Sequence, residues 1–334
     1  MGVLDGVLSY FWNETERRLR APWRILVAAV VFVVVVFFLL AVFGRVAIAA
    51  GVEPELFEMD AGLTEGTLVV FAGLIVVTTV GVVVSVWLVA RYIDRRRVTD
   101  YGFRIDPRWW SDLAFGLALG AVLPTLMLAV GLAAGWYRVT GLFVSEGSFL
   151  SAFAAVVVLF VSVGLYEELL VRGWLLTNIA EGLRYFGERE AVAAAVFLTS
   201  ALFGVLHLPN PGASFASATV ITLAGVFLAL GYILTGELAI PIGIHITWNL
   251  FNGSVYGFGV SGISFPVSFV GTEGVGPEYV TGGEFGPEAG LLGGVAVAVG
   301  SAAVLWWVRR REDEEGIHEG VTTPDLREGF LKDY

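Results

Sequence analysis

Long apolar runs separated by short polar stretches dominate this chain. Eight of them approach the roughly 20 residues that a membrane-spanning helix needs: Ile25–Gly44, Thr67–Ala90, Leu113–Trp136, Phe149–Ile179, Ala191–Leu208, Ala216–Leu234, Leu238–Phe251 and Ala289–Val308. The fourth run is too long for one perpendicular crossing. The seventh is short and contains Pro241, which predicts an extended or irregular end. The first follows Arg17, Arg18, Arg20 and Arg24 and is too long for the core of a signal peptide, so it reads as a retained helix. The expected fold is all-α: a polytopic membrane protein of about eight transmembrane helices, with a conical or bundle-like core around an intramembrane polar cavity.

Composition agrees. The chain has 334 residues, of which 57% are hydrophobic and 15% charged. A soluble domain carries about 25% charged residues. There is no cysteine, which removes disulfides, thiolate metal sites and thiol nucleophiles. With the N-terminus inside and the spans alternating, 17 basic residues fall inside and 2, Arg45 and Arg138, outside. That asymmetry predicts a multi-pass cell-membrane protein with both termini cytoplasmic. The acidic Gly51–Glu65 and the Gly-rich Gly253–Glu288 segments then lie outside. The tail from Arg309 reads as soluble and partly disordered, with His318 solvated. Nothing in the motifs points to nucleic acid. The expected partners are membrane lipids and a membrane-associated protein or peptide.

Ionisable residues inside spans are costly and suggest function. Glu167-Glu168 and Arg172 lie inside the fourth run, and Glu168 and Arg172 are four apart on one helix face. The arginine can neutralise one carboxylate and leave the other available as a general base. The plain alternative is a salt bridge at the membrane edge. His207 follows Phe203 at the end of the fifth run, where a capping role would be ordinary. His245 and Asn249 share a face of the seventh, where interhelical hydrogen bonding is the common use. Together, a carboxylate and an imidazole can activate water, while a second imidazole and a carboxamide can stabilise an oxyanion. Glu167, His207 and His245 could instead hold Zn²⁺. No HExxH motif is present.

Glu167-Glu168-x-x-x-Arg172, Phe203-x-x-x-His207 and His245-x-x-x-Asn249, in that order, resemble the CPBP family of intramembrane peptidases. That family includes the type II CAAX prenyl endopeptidases and bacteriocin-processing proteins. The resemblance covers roughly residues 100–253, read as a catalytic helical core. It is flanked by a cytoplasmic segment with two spans (1–99), an external loop with the last span (254–308) and a charged cytoplasmic tail (309–334). The resemblance implies an intramembrane endopeptidase in which Glu167 and His207 activate the attacking water. His245 and Asn249 would stabilise the oxyanion, and Glu168 and Arg172 would orient the site or meet a substrate carboxylate. Glutamate and metallopeptidase mechanisms both remain open, with Zn²⁺ the possible cofactor. An ion- or proton-coupled transporter or channel is a rival reading, as is a non-catalytic binding or scaffold member of the family.

Depth constrains the site. Glu167 would lie about 27 Å along a helix begun at Phe149, and His207 a similar distance along one begun at Ala191. The two would then sit near opposite faces. The sequence therefore predicts that helix four is tilted and extends to about Ile179. It also predicts a water-filled cavity that reaches the site from the cytoplasmic side.

Overall fold

The computed structural model describes residues 9–57, 63–311 and 316–326. The chain is an all-α polytopic membrane protein. Its helices are α1 (Ala21–Ala49), α2 (Glu65–Asp94), α3 (Pro107–Ala133), α4 (Phe149–Phe186), α5 (Glu188–Leu206), α6 (Phe215–Thr235), α7 (Ala239–Leu250) and α8 (Leu291–Arg309). Four short strands, β1 (Trp12–Asn13), β2 (Arg18–Leu19), β3 (Tyr137–Ser145) and β4 (Val267–Gly274), form two antiparallel pairs, β1–β2 and β3–β4.

Among the described residues, seven helices, α1 to α6 and α8, are long and apolar enough to cross a membrane. The seventh apolar run differs. Its helix α7 has 12 residues and continues as a π turn over Phe251–Val255. Every residue from Ala239 to His245 is buried, so α7 is shielded by protein rather than lipid. Glycines make that enclosure possible. A Cβ on Gly120 of α3 would lie 2.4 Å from the Ile244 carbonyl oxygen, and one on Gly243 would lie 2.6 Å from that of Leu113. The backbones of α3 and α7 therefore touch, as small residues allow between membrane helices. By contrast, α1 leaves Val30, Val33, Val34, Phe37 and Phe38 exposed, a face suited to lipid.

Helix ends follow local chemistry. Thr64 and Thr67 form a reciprocal capping box at the start of α2. Asp106 caps α3, its Oδ1 accepting the Trp109 N–H at 2.7 Å, with Pro107 in the first turn. Gly236, at φ +70°, closes α6.

Helix α4 is the long element. It runs past Ile179 to Phe186, with a π-helical segment over Leu169–Leu176. Gly187, at φ +123°, turns the chain directly into α5. Glu167 and His207 each stand 20 residues from Gly187, on opposite sides of the turn. They are therefore level with one another, which removes the expected depth conflict. The conflict arose from ending the fourth helix early and starting the fifth at Ala191.

The two ends of the bundle are distinct. At one end β3 pairs with β4, so the stretch after the third span and the Gly-rich segment lie together. At the other, Arg18, Arg24, Asp94, Arg96 and Glu181 gather in one buried ionic cluster. This grouping matches the relative sidedness expected from the basic residues. The tail also departs from expectation: His318 is half-buried, and its backbone N–H donates to the Ile233 carbonyl at 2.8 Å. Residues 58–62, 312–315 and 327–334, which include the tail's Glu312-Asp313-Glu314-Glu315 run, lie outside the described residues.

Between α6 and α7, Glu237 accepts the Arg104 backbone N–H at 3.1 Å. Burial pushes its carboxyl from 4.5 up to about 7. Its protonated form thus favours the fold. That contribution is complete below pH 4.5 and is lost as pH rises through about 7. Because Glu237 is only partly shielded from solvent, we expect detergent-solubilised protein to lose about 1 kcal/mol between pH 5 and 8. Glu237→Gln should flatten that dependence. Identical thermal-unfolding profiles for the two proteins would refute the assignment.

Candidate active site

Adjacent residues on a helix diverge by about 100°, and Glu167 and Glu168 use that divergence. Glu168 turns inward and is fully buried. Its Oε1 accepts Arg172 Nη1 at 2.8 Å and faces His245 Nδ1 at 2.7 Å. Arg172, also buried, lies over the Phe203 ring at 4.4 Å from the centroid. The same Phe203 ring lies 4.7 Å from that of His207 and meets the His245 ring edge-on at 6.2 Å. Phe203 therefore forms the apolar floor between the arginine and both histidines.

Glu167 faces a cavity of about 420 Å³. Its Oε1 accepts the Tyr166 hydroxyl at 3.0 Å. Its Oε2 has no hydrogen-bond partner among the described residues and lies 3.8 Å from His245 Nε2. That gap is too long for a direct hydrogen bond. Glu168 is thus paired through Oε1 with Arg172 and His245, whereas Glu167 is held by Tyr166.

The histidine tautomers follow from their partners. His207 Nδ1 lies 2.7 Å from the Phe203 carbonyl oxygen, which can only accept. Nδ1 therefore carries the proton, and Nε2 of the neutral ring keeps its lone pair. In the same way His245 Nδ1 donates to the Glu168 carboxylate, leaving Nε2 toward Glu167. Asn249 lines the same cavity one turn after His245.

The structure thus brings Glu167, His207, His245 and Asn249 to one cavity, with Glu168 and Arg172 behind it. Arg172 does not line the cavity. The geometry brings His245, rather than His207, into the 3.8 Å approach to Glu167. Among the described residues, no group of three His, Asp or Glu side chains is arranged to hold a metal ion. As placed, Glu167, His207 and His245 are not gathered into such a group.

Other site members were not singled out from the sequence. Tyr166 orients Glu167, and Trp248, Asn210, Ser261 and Glu288 line the cavity. Glu288 carried a faint signal, as an acid ending the Gly-rich segment just before the last apolar run. Val260, Ser261, Ile263, Phe265 and Glu288, from the Gly-rich segment that the basic-residue distribution assigns to the external side, also line the cavity.

Neither the curated proteins nor the solved structures give a match to this chain. Residues 148–251, about a third of the chain, match the family model described as type II CAAX prenyl endopeptidase Rce1-like. The matched stretch runs from the head of α4 to the end of α7 and includes all seven motif residues, as the CPBP resemblance implied. Residues 148–251 are thus similar to the Rce1-like, type II CAAX prenyl endopeptidase family, within a polytopic membrane protein.

Proposed function

We propose that the cavity beside Glu167 hydrolyses a peptide bond in a membrane-associated protein, with both chain termini on the cytoplasmic side. The observation that carries this reading is the Glu167 carboxylate. One oxygen is held by Tyr166, the other is buried without a protein partner, and the residue lines the cavity. Glu167 takes a proton from water as it attacks the scissile carbonyl, with His207 Nε2 assisting from the same cavity, and returns that proton to the leaving amine as the C–N bond breaks. His245, as imidazolium, donates Nε2–H to the developing oxyanion, its charge balanced by Glu168 through Nδ1. Asn249 adds a carboxamide donor. Glu168 and Arg172 act as positioning residues, since each reaches the reaction through His245 or Phe203.

The direct test is proteolysis of a candidate membrane substrate in detergent by wild type, Glu167→Ala and His207→Ala. Equal cleavage by all three would sink the reading. Chelator is included as a separate arm, and loss of activity restored by Zn²⁺ would replace the glutamate mechanism with a metal one.

Tyr166 gives a finer check. Tyr166→Phe removes one hydrogen bond to Glu167 and leaves the ring packing in place. We expect a fall in kcat of about tenfold with KM little changed. An unchanged kcat would mean that Glu167 is oriented without it.

A further inference from the structure

The histidines of the cavity stand on two different elements. His207 closes the C-terminal end of α5, whereas His245 and Asn249 belong to α7. A chain of hydrogen bonds joins these elements through the Gly-rich segment. Asn210, three residues past His207, donates its Nδ2–H to the Ser261 carbonyl at 3.0 Å. Ser261 donates in turn to Glu288 Oε2, from its backbone N–H at 2.7 Å and its hydroxyl at 3.0 Å. Glu288 Oε1 accepts the Trp248 indole N–H at 2.8 Å. Trp248 follows His245 by three residues and precedes Asn249, so the three are neighbours on the α7 surface. Asn210, Ser261, Glu288 and Trp248 all line the cavity.

Each link of the chain is held in place. Ser261 sits at φ +49°, a backbone conformation that a serine rarely adopts unless its surroundings impose it. Gly262, at φ +83°, donates its N–H to the Phe285 carbonyl at 3.0 Å and leaves no room for a Cβ against the Pro211 carbonyl. The segment therefore meets the turn after His207 backbone to backbone. Glu288 is 8% exposed and accepts three hydrogen bonds, from Trp248 and twice from Ser261. Only an ionised carboxylate presents acceptors to all three donors, because a glutamine would turn its amide nitrogen toward one of them. At the other end the Asn210 N–H donates to the His207 carbonyl at 3.2 Å, so a tether on Asn210 acts on His207 directly. The His207 ring is fixed to the Phe203 carbonyl of its own helix, and its direction follows the end of α5. A helix end frays unless its last turn is tied down, and this chain ties it.

We infer that Asn210, Ser261 and Glu288 are positioning residues, which fix the His207 imidazole relative to the His245–Asn249 pair through the chain that ends on Trp248. None of them exchanges a proton with the substrate. The inference rests on the peptidase reading, in which His207 serves the attacking water and the pair serves the oxyanion. Both must be set around one scissile carbonyl, and they come from separate elements. Ser261 and Glu288 lie outside residues 148–251, so the family match assigns them no part in the site.

The test compares wild type with Asn210→Ala and Glu288→Gln, which break the chain at opposite ends. Each should lower kcat about tenfold and keep KM within about twofold, because geometry rather than substrate contact is lost. The double variant should fall no further than the worse single one, since either break opens the same chain. Ser261→Gly removes only the hydroxyl donor and should cost no more than about threefold. Proton–nitrogen correlation spectra of histidine-labelled protein give a readout without turnover. The ring signals of His207 and His245 should move in both variants, while that of His318, packed at Gly236, should stay. An unchanged kcat in both variants, losses that multiply, or a raised KM with kcat intact would overturn the inference. So would a lower melting temperature with kcat and ring signals unmoved, the mark of a purely structural role. If Glu288→Gln fails to fold, Asn210→Ala decides alone. Moved ring signals in a protein whose wild type cleaves nothing would defeat the peptidase reading and leave the coupling of the two elements standing. Wild-type cleavage with kcat and signals unmoved in the variants would do the reverse, and unmoved signals without any cleavage would overturn both.

Discussion

Glu167→Gln is expected to leave the protein folded and to lower peptide hydrolysis by about 10²- to 10⁴-fold, the usual worth of a positioned general base. Glutamine has nearly the volume of glutamate, and its carbonyl can still accept the Tyr166 hydroxyl. What it cannot do is take a proton from water at the position of Oε2. Thermal unfolding in detergent should therefore coincide with wild type while single-turnover cleavage fails. His207→Ala should cost a comparable factor if Nε2 shares that proton transfer. Groups that act as one unit are not additive, so the double variant should fall little below the worse single one. Losses that multiply would assign the residues to separate steps. Activity of Glu167→Gln within about tenfold of wild type would end the case for Glu167 as the base.

The motif residues were legible because their chemistry conflicts with their surroundings. A carboxylate, an arginine or two histidines in apolar runs need partners, and the partners were each other. The helices were legible for a related reason: apolar length sets them regardless of tertiary context. Two features resisted. The level placement of Glu167 and His207 depends on Gly187 being the turn, and the apolar runs suggested a gap between Ile179 and Ala191 instead. The polar residues Glu181 to Glu190 hid helical backbone, because they serve the end of the bundle rather than its lipid face. The cavity wall was hidden differently. Ser261 and Glu288 meet Trp248 only through tertiary packing, and a Gly-rich sequence carries no periodicity that would announce it. The short α7 illustrates the same limit, since burial by α3 replaces the length that lipid would demand.

Glu181→Ala is expected to destabilise the fold by about 3–5 kcal/mol, the cost of leaving buried charges without their partner. Glu181 Oε2 receives Arg18 Nη2 at 2.8 Å and Arg24 Nη2 at 2.9 Å, while its Oε1 meets Arg96. All three arginines are at most 3% exposed. Burial already pushes the Arg96 guanidinium below its ordinary value, so the cluster is costly even when intact. Asp94 offers limited compensation: Oδ1 lies 3.4 Å from Arg24 Nε, and Oδ2 is occupied by the Tyr101 hydroxyl and the Trp174 indole. Removing Glu181 therefore leaves three guanidinium groups with Asp94, already engaged, and Glu16, which meets Arg18 at the rim. The least costly escape is for Arg18 to withdraw, because it sits on the β1–β2 segment rather than on a spanning helix. Limited proteolysis should then cut within residues 9–20 of the variant and spare wild type. Glu181→Gln should behave like the alanine variant, since charge rather than shape is lost. Glu16→Ala, at the rim beside Arg18 and Arg184, should cost no more than about 1 kcal/mol. A Glu181→Ala protein melting within about 2 °C of wild type would show that the cluster contributes little to stability, and that the arginines are solvated in some other way.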